Sequence, residues 1–217
     1  MAISLDQIVI SNCDIPQTRR GHERRLALLL SANTLFLERG YDAVSLDDIV
    51  NHAGGSKTSI YKYFGSKDGL FIAICDYRRA MFFQDICPAF EQSKSNLRDY
   101  LIQNLNNFYI HLLDPENAAF IRLIVERTQA TPEFALYIHE QGPKHIQATI
   151  AKVLETAHNQ NILYCPKPLF SAQMYIGIIR HLEWQTIMGI EIKKTDDEIK
   201  EYFEYSVDRF LDGHQRV

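Results

Sequence analysis

The chain has 217 residues, 46% of them hydrophobic, with 23 Lys and Arg against 27 Asp and Glu for a formal net charge of -4. That length and apolar content can bury a full core in one or two small domains without disulfides or structural metals. The acidic balance excludes a uniformly basic nucleic-acid coat protein, so any DNA binding must come from a local patch, and Arg19, Arg20, Arg24, Arg25, Lys57, Lys62 and Lys67 supply one.

Residues 1–20 lack helical periodicity and contain Pro16, which predicts a flexible N-terminal arm ending in Arg19 and Arg20. Such an arm can reach phosphates or a minor groove, or serve only as a solubilising tail. From about Glu23 to Arg39, Leu28, Leu29, Ala32, Leu35 and Phe36 recur at helical spacing and predict a first helix stopped by Gly40, with Arg25 near its start. Ser45 then reads as an N-cap, with Asp47 and Asp48 in the first turn, for a second helix carrying Leu46, Ile49, Val50 and Ala53 on one face. Gly54 and Gly55 give the tight turn, and Ser56 caps a third helix whose Ile60 and Phe64 face the core. Lys57, Thr58, Ser59, Tyr61, Lys62 and Tyr63 are expected outward. Lysines, hydroxyls and tyrosines on one exposed face suit phosphates and base edges, and two helices about a glycine turn fit a helix-turn-helix whose second helix enters a major groove. An ordinary helical hairpin with a wet outer face is the competing reading.

The stretch LALLLSANTLFLERGYDAVSLDDIVNHAGGSKTSIYKYFGSKDGLF also resembles the N-terminal DNA-binding domain of the TetR family of transcriptional regulators. The resemblance is carried by Phe36, Glu38, Arg39, Gly40 and Tyr41, then Ser45, Asp48 and Ile49. It continues through Ala53, Gly54, Ser56, Lys57, Ser59, Ile60, Tyr61 and Phe64, and closes on Ser66, Lys67 and Leu70. It covers about the first third of the chain. Gly55 departs from the family, which usually carries a Val or Ile hook there, so packing beneath the third helix should be thinner. The implied DNA-binding set is Ser45, Lys57, Thr58, Ser59, Tyr61, Lys62, Tyr63 and Lys67. Lys57 and Thr58 are expected at base edges, while Ser59, Tyr61, Tyr63 and Lys67 hold phosphates and Lys62 does either. Arg19, Arg20 and Arg25 are further candidate backbone contacts.

Ser66 restarts the chain as a fourth helix running to about Ile86, where Pro88 marks a stop. No later stretch alternates like a strand. Helices are predicted over Asn96–Leu113, Glu116–Gln129, Pro132–Gln141, Pro143–His158, Pro168–Gly189 and Asp196–Leu211, separated by proline, glycine and aspartate punctuation. The expected fold is all-α: a three-helix DNA-binding domain over 21–66, joined by helix four to a helical effector-binding and dimerisation domain over 67–217. The run FIRLIVERTQATPEFALYIHEQGP resembles the ligand-binding half of an AefR-like subgroup. The family resemblance implies a pocket for a small apolar or aromatic effector, with Phe82, Phe108, Phe120, Met174 and Trp184 as candidate lining, although core filling explains any one of these rings. It also implies a homodimer built on the last two helices, with Ile178, Leu182, Phe203 and Phe210 as candidate interface; completion of a monomer core is the alternative.

Pattern and resemblance together imply a ligand-released repressor that binds a (pseudo)palindromic DNA operator as a dimer, and the resemblance alone implies control of a multidrug efflux pump. A helical small-molecule carrier with a degenerate DNA domain is the alternative. No G-x-S-x-G, Walker A, H-E-x-x-H or dinucleotide fingerprint occurs, and His139, Glu140 and His145, or His181 with Glu183, lack ligand spacing, so no enzyme activity, cofactor or metal is expected. Cys13, Cys75, Cys87 and Cys165 show no C-x-x-C spacing, which fits a reduced cytoplasmic chain, with a Cys75–Cys87 redox pair as the less ordinary alternative. No targeting segment or membrane-length apolar run is evident.

Overall fold

The computed structural model describes residues 16–86, 90 and 96–215, and among them every regular element is helical. Arm residues 1–15, Cys13, Cys87 and the Pro88 stop lie outside the described residues. The helices are α1 (Arg19–Arg39), α2 (Leu46–Ala53), α3 (Lys57–Phe64), α4 (Lys67–Ile86), α5 (Leu97–Leu113), α6 (Pro115–Ala130), α7 (Pro132–Gln141), α8 (Pro143–Asn159), α9 (Pro168–Ile187) and α10 (Asp196–Asp212). Packing divides the chain into two units: one takes the residues up to Met81 together with Arg122–Ala135, the other Phe82–Ile121 with Leu136–Val217.

In the first unit, α1 begins four residues earlier than its apolar stripe predicts. Thr18 is the reason, because its hydroxyl accepts a hydrogen bond from the Gly21 amide at 3.2 Å and caps the exposed first turn. Leu28, Leu29, Ala32, Leu35 and Phe36 of α1 are buried against Ile49 of α2, Ile60 and Phe64 of α3, and Leu70, Phe71 and Ile74 of α4. Phe71 lies edge-on to Phe36 and Tyr41, with centroids at 5.8 and 5.3 Å, and 5.4 Å from Phe134 at the start of α7. The turn from α3 into α4 is closed so tightly that a Cβ on Gly69 would stand 1.9 Å from the Phe64 carbonyl oxygen, which makes glycine a steric requirement there.

The second unit packs α5, α8, α9 and α10 around Leu101, Leu105, Ile150, Leu154, Ala172, Ile179, Leu182, Phe203 and Val207. Asn96 caps α5 through the Asp99 amide at 2.8 Å, and Thr195 with Glu198 forms a reciprocal capping box on α10. Tyr175 donates from its hydroxyl to the Leu101 carbonyl at 2.7 Å, and Arg98 grips Asp208 with two bonds of 2.5 and 3.0 Å, tying α5 to α9 and α10. No described helix is long and apolar enough to cross a membrane.

Candidate nucleic-acid interface and effector cavity

The reading segment is assembled by its caps. Ser45 accepts from the Asp48 amide at 3.1 Å while the Asp48 carboxylate accepts from the Ser45 amide at 2.7 Å, so α2 starts at a fixed residue. The Ser45 hydroxyl, 2.5 Å from the same carboxylate, and then the Ser45 amide hold the Asp48 carboxyl below the ordinary aspartate range. Gly54 ends α2 in the left-handed region at φ 67°, and Ser56 accepts from the Ser59 amide at 3.3 Å to start α3. Gly55 is not among the positive-φ residues, and a Cβ there would meet only Leu28 Cδ2 at an ordinary 3.5 Å. Space for one carbon therefore exists beneath α3. Gly55→Ala is expected to raise stability by about 0.4–1 kcal/mol, chiefly by restricting the unfolded chain, measured as an upward shift in urea midpoint.

Across α3 the outer and inner faces separate cleanly. Lys57, Thr58, Tyr61 and Lys62 are exposed, with Tyr61 at 55%. Ser59, Ile60, Tyr63 and Phe64 are buried. The outward expectation for Ser59 and Tyr63 is thus corrected: these two stand four residues apart beside the Ile60–Phe64 pair, and an eight-residue helix laid on α1 buries both rows. Ser59 and Ser56 hydroxyls lie 3.2 Å apart, so Ser59 serves the cap. Lys67 is a second correction. Its ammonium donates to the Tyr41 carbonyl at 2.6 Å and sits 4.2 Å from the Tyr41 ring centre, turned into the unit, and burial lowers its pKa below the usual lysine value.

Tyr41 is in turn clamped by Arg127 of α6, whose guanidinium lies 3.9 Å from the ring centre and bonds Asp68 at 2.9 Å. The Tyr41 hydroxyl donates to Asp68 at 2.5 Å, and burial followed by that bond drives its pKa upward, so it stays protonated. Lys57 meets Asp47 of α2 at 2.8 Å, which raises the lysine pKa through that hydrogen bond. Of the N-terminal cations, Arg19 pairs with Glu23 at 2.9 Å, Arg20 is exposed, and Arg25 is half-buried with its guanidinium 5.0 Å from the centre of the Phe64 ring.

The second unit redistributes the predicted pocket and interface residues. Met174 and Trp184, expected in a pocket, are 67% and 61% exposed, whereas Leu182, Phe203 and Phe210, expected at a dimer interface, are buried in the unit's own core. Ile178 is half-buried, and Phe120 is buried. Helix α9 is apolar on two sides. Its inner row is Ala172, Tyr175, Ile176, Ile179 and Leu182, and its outer row runs through Phe170, Met174, Trp184 and Met188 at coiled-coil spacing. Phe82 and Phe108 do meet, edge-on at 5.3 Å, with His111 packed on Phe82 at 4.7 Å.

Sequence reasoning missed Asn104. It lies in the second unit beside a cavity of about 20 Å³ lined by Leu105, Phe108, Ile146, Ile150, Tyr175, Ile176 and Ile179, and neither of its carboxamide atoms has a hydrogen-bond partner among the described residues. Its signal was present: position 104 falls on the apolar stripe of Leu101, Leu105 and Phe108, where a polar residue has no solvent to face. A wider, open depression of about 550 Å³ lies near Leu97, Arg98, Leu163, Leu211 and His214.

Four of the histidines and carboxylates weighed for metal or acid–base chemistry have ordinary partners. Glu140 pairs with Lys144 at 2.6 Å, His145 packs on Phe83 at 4.8 Å, His181 on Tyr202 at 5.1 Å, and Glu183 bonds Arg180. Among the described residues no group of three or more His, Cys, Asp or Glu side chains is placed to hold a metal. Cys75 and Cys165 are buried thiols, and burial drives the Cys75 pKa upward, away from reactive thiolate.

A capped helix, a left-handed glycine and a short helix with a cationic, hydroxyl-bearing outer face define a helix-turn-helix regulator of the all-helical kind. Residues 28–74 match the bacterial regulatory proteins of the tetR family, and residues 99–215, more than half of the chain, match the C-terminal domain of AefR-like transcriptional repressors. The chain belongs to the TetR family of transcriptional regulators, DNA-binding proteins rather than enzymes. The HTH-type transcriptional repressor NemR of Escherichia coli (strain K12) is 26% identical over 162 residues, spanning 72% of this chain and 80% of that protein. The biofilm operon icaADBC HTH-type negative transcriptional regulator IcaR of Staphylococcus aureus (strain Newman) is 31% identical over 115 residues, 51% of this chain and 57% of its own. Among solved structures, the Flavonoid-responsive Regulator FrrA superposes with a TM-score of 0.78 at 26% identity, covering 89% of this chain and 98% of that one. A putative TetR-family regulator from Mesorhizobium loti shares the fold, with a TM-score of 0.74 at 20% identity over 92% of this chain and all of that one.

Proposed function

We propose that the chain is a homodimeric repressor released from a palindromic operator by a small, largely apolar effector. The observation that carries this reading is α3: Lys57, Thr58, Tyr61 and Lys62 stand exposed over a fully buried inner row, a rigid face with no role in its own core. Lys57 and Thr58, in the first turn, are assigned to base edges, and Tyr61 and Lys62 to the phosphates flanking them, with Arg19, Arg20 and Arg25 as backbone contacts. The outer row of α9, Phe170, Met174, Trp184 and Met188, with exposed Tyr205 of α10, is assigned to the dimer seam. As domain limits we assign a reader from the start of α1 at Arg19 to residue 66 and an effector and dimerisation domain over 67–217, both in a cytoplasmic protein.

The effector acts by binding one arrangement of the dimer better than another, so that two readers no longer fit two half-sites together. FrrA is a flavonoid-responsive protein by its description, which supports an aromatic effector here. Such molecules are also typical export cargo, and we place a multidrug efflux pump among the regulated genes, a point tested by pump transcript levels in a deletion strain.

The primary test is a gel shift with DNA upstream of the chain's own and neighbouring genes. Retarded, effector-sensitive complexes are expected; no shift at low salt would instead favour the carrier reading. Within that assay Lys57→Ala should lower specific affinity by about 1–3 kcal/mol and relax preference at one base pair of each half-site. Asp47→Asn acts oppositely. Removing the carboxylate 2.8 Å from Lys57 frees its ammonium for a base acceptor, so specific binding should strengthen more than non-specific binding. An unchanged ratio of specific to non-specific affinity would show that Lys57 is not at a base edge.

A further inference from the structure

Asn104 is 4% exposed on α5, and neither its Oδ1 nor its Nδ2 has a hydrogen-bond partner among the described residues. The residues around it are mostly apolar. Leu105, Phe108, Ile146, Ile150, Ile176 and Ile179 present only carbon, and the Tyr175 hydroxyl donates its proton to the Leu101 carbonyl at 2.7 Å. An amide left unmatched in apolar surroundings is costly, and native proteins retain such groups where a water or a ligand completes them. The cavity beside it, about 20 Å³, is the size of a single water site.

One wall of this cavity is an aromatic side chain that is only half-buried. Phe108 lies edge-on to Phe82, which is itself half-buried and packed on His111. Neither phenyl ring carries a polar atom, so turning either of them breaks no side-chain hydrogen bond of its own. Among the described residues no Asp, Glu, Lys or Arg lines it. The wider depression near Leu97 is a weaker candidate, because its polar groups are already matched: Arg98 to Asp208, and His214 to Ser171 at 2.8 Å and to the Phe210 carbonyl at 2.7 Å.

We propose that Asn104 is the polar anchor of the effector site, and that the site takes an uncharged, ring-sized apolar molecule bearing one group that both donates and accepts a hydrogen bond, such as a phenol or a carboxamide. The proposal rests on the effector-responsive reading above and adds the chemical class. A carboxamide offers a donor and an acceptor side by side, so it is completed by a ligand group of the same dual character. Ionised ligands are excluded, since the lining offers no counter-charge to offset their desolvation.

The test measures binding of 2-naphthol, naphthalene and 2-naphthoate to the full chain by calorimetry, with wild type, Asn104→Leu and Asn104→Ser. The wild type is expected to prefer 2-naphthol over naphthalene by about tenfold or more, because only the phenol matches the buried amide. 2-Naphthoate should not bind. Asn104→Leu should bind the two neutral probes alike, and Asn104→Ser should keep a reduced preference, which decides the matter should the leucine variant fail to fold. Equal binding of the neutral probes to wild type, a preference that survives in both variants, or tightest binding of 2-naphthoate overturns the role of Asn104 while leaving a pocket in place. Failure of all three probes to bind wild type at their solubility limits overturns the pocket itself and leaves a water-filled structural cavity.

Discussion

Trp184→Glu is expected to lower specific operator affinity by about two orders of magnitude while changing the stability of each subunit by less than about 0.5 kcal/mol. The indole is 61% exposed on the outer row of α9, so its removal empties nothing inside the subunit. In the dimer the new carboxylates would lie on opposing seams, desolvated and of like charge. In the proposed dimer, two readers joined by the seam would engage two half-sites, and a separated reader would lose the second event entirely. Analytical ultracentrifugation beside a binding titration checks both halves of the expectation. A variant that remains dimeric with full affinity would move the seam elsewhere.

Phe203→Ala should behave in the opposite manner, destabilising the fold by about 3–5 kcal/mol through the cavity it leaves, with a lowered urea midpoint before any change in assembly. The ring is fully buried, packed against Tyr109 at 6.0 Å and Tyr202 at 5.6 Å between α5 and α10. Were Phe203 instead at a subunit boundary, the loss would depend on protein concentration. Chemical denaturation at two concentrations distinguishes the cases, since a core residue shifts both curves equally.

The contrast between these two residues shows what the sequence could convey. Helix positions were legible because Pro115, Pro132, Pro143 and Pro168 sit at helix starts and Ser45, Ser56, Asn96 and Thr195 carry caps, all local signals. Choosing the buried row of α9 was not a local matter. That helix carries apolar residues on two sides, and which one faces α5 and α8 depends on tertiary packing that a periodic pattern does not contain. Ser59 and Tyr63 failed for a related reason, as a short helix wedged against α1 buries a wider stripe than its two most apolar positions imply. The inward turn of Lys67 depends on Tyr41, twenty-six residues away, and on Arg127 of α6, so no window of sequence could reveal it. Asn104 was legible and overlooked: a carboxamide in a leucine stripe announces a buried polar group.

The contact between Lys57 and Asp47 bears on how such a molecule finds its target in a chromosome. A reading tip whose leading cation already holds a carboxylate gains little from brushing against arbitrary duplex, since exchanging one anionic partner for another yields almost nothing. On the proposed assignment, only where the correct base also faces Thr58 would the exchange become favourable. Stops on irrelevant stretches are therefore brief, and the time between successive inspections is correspondingly short.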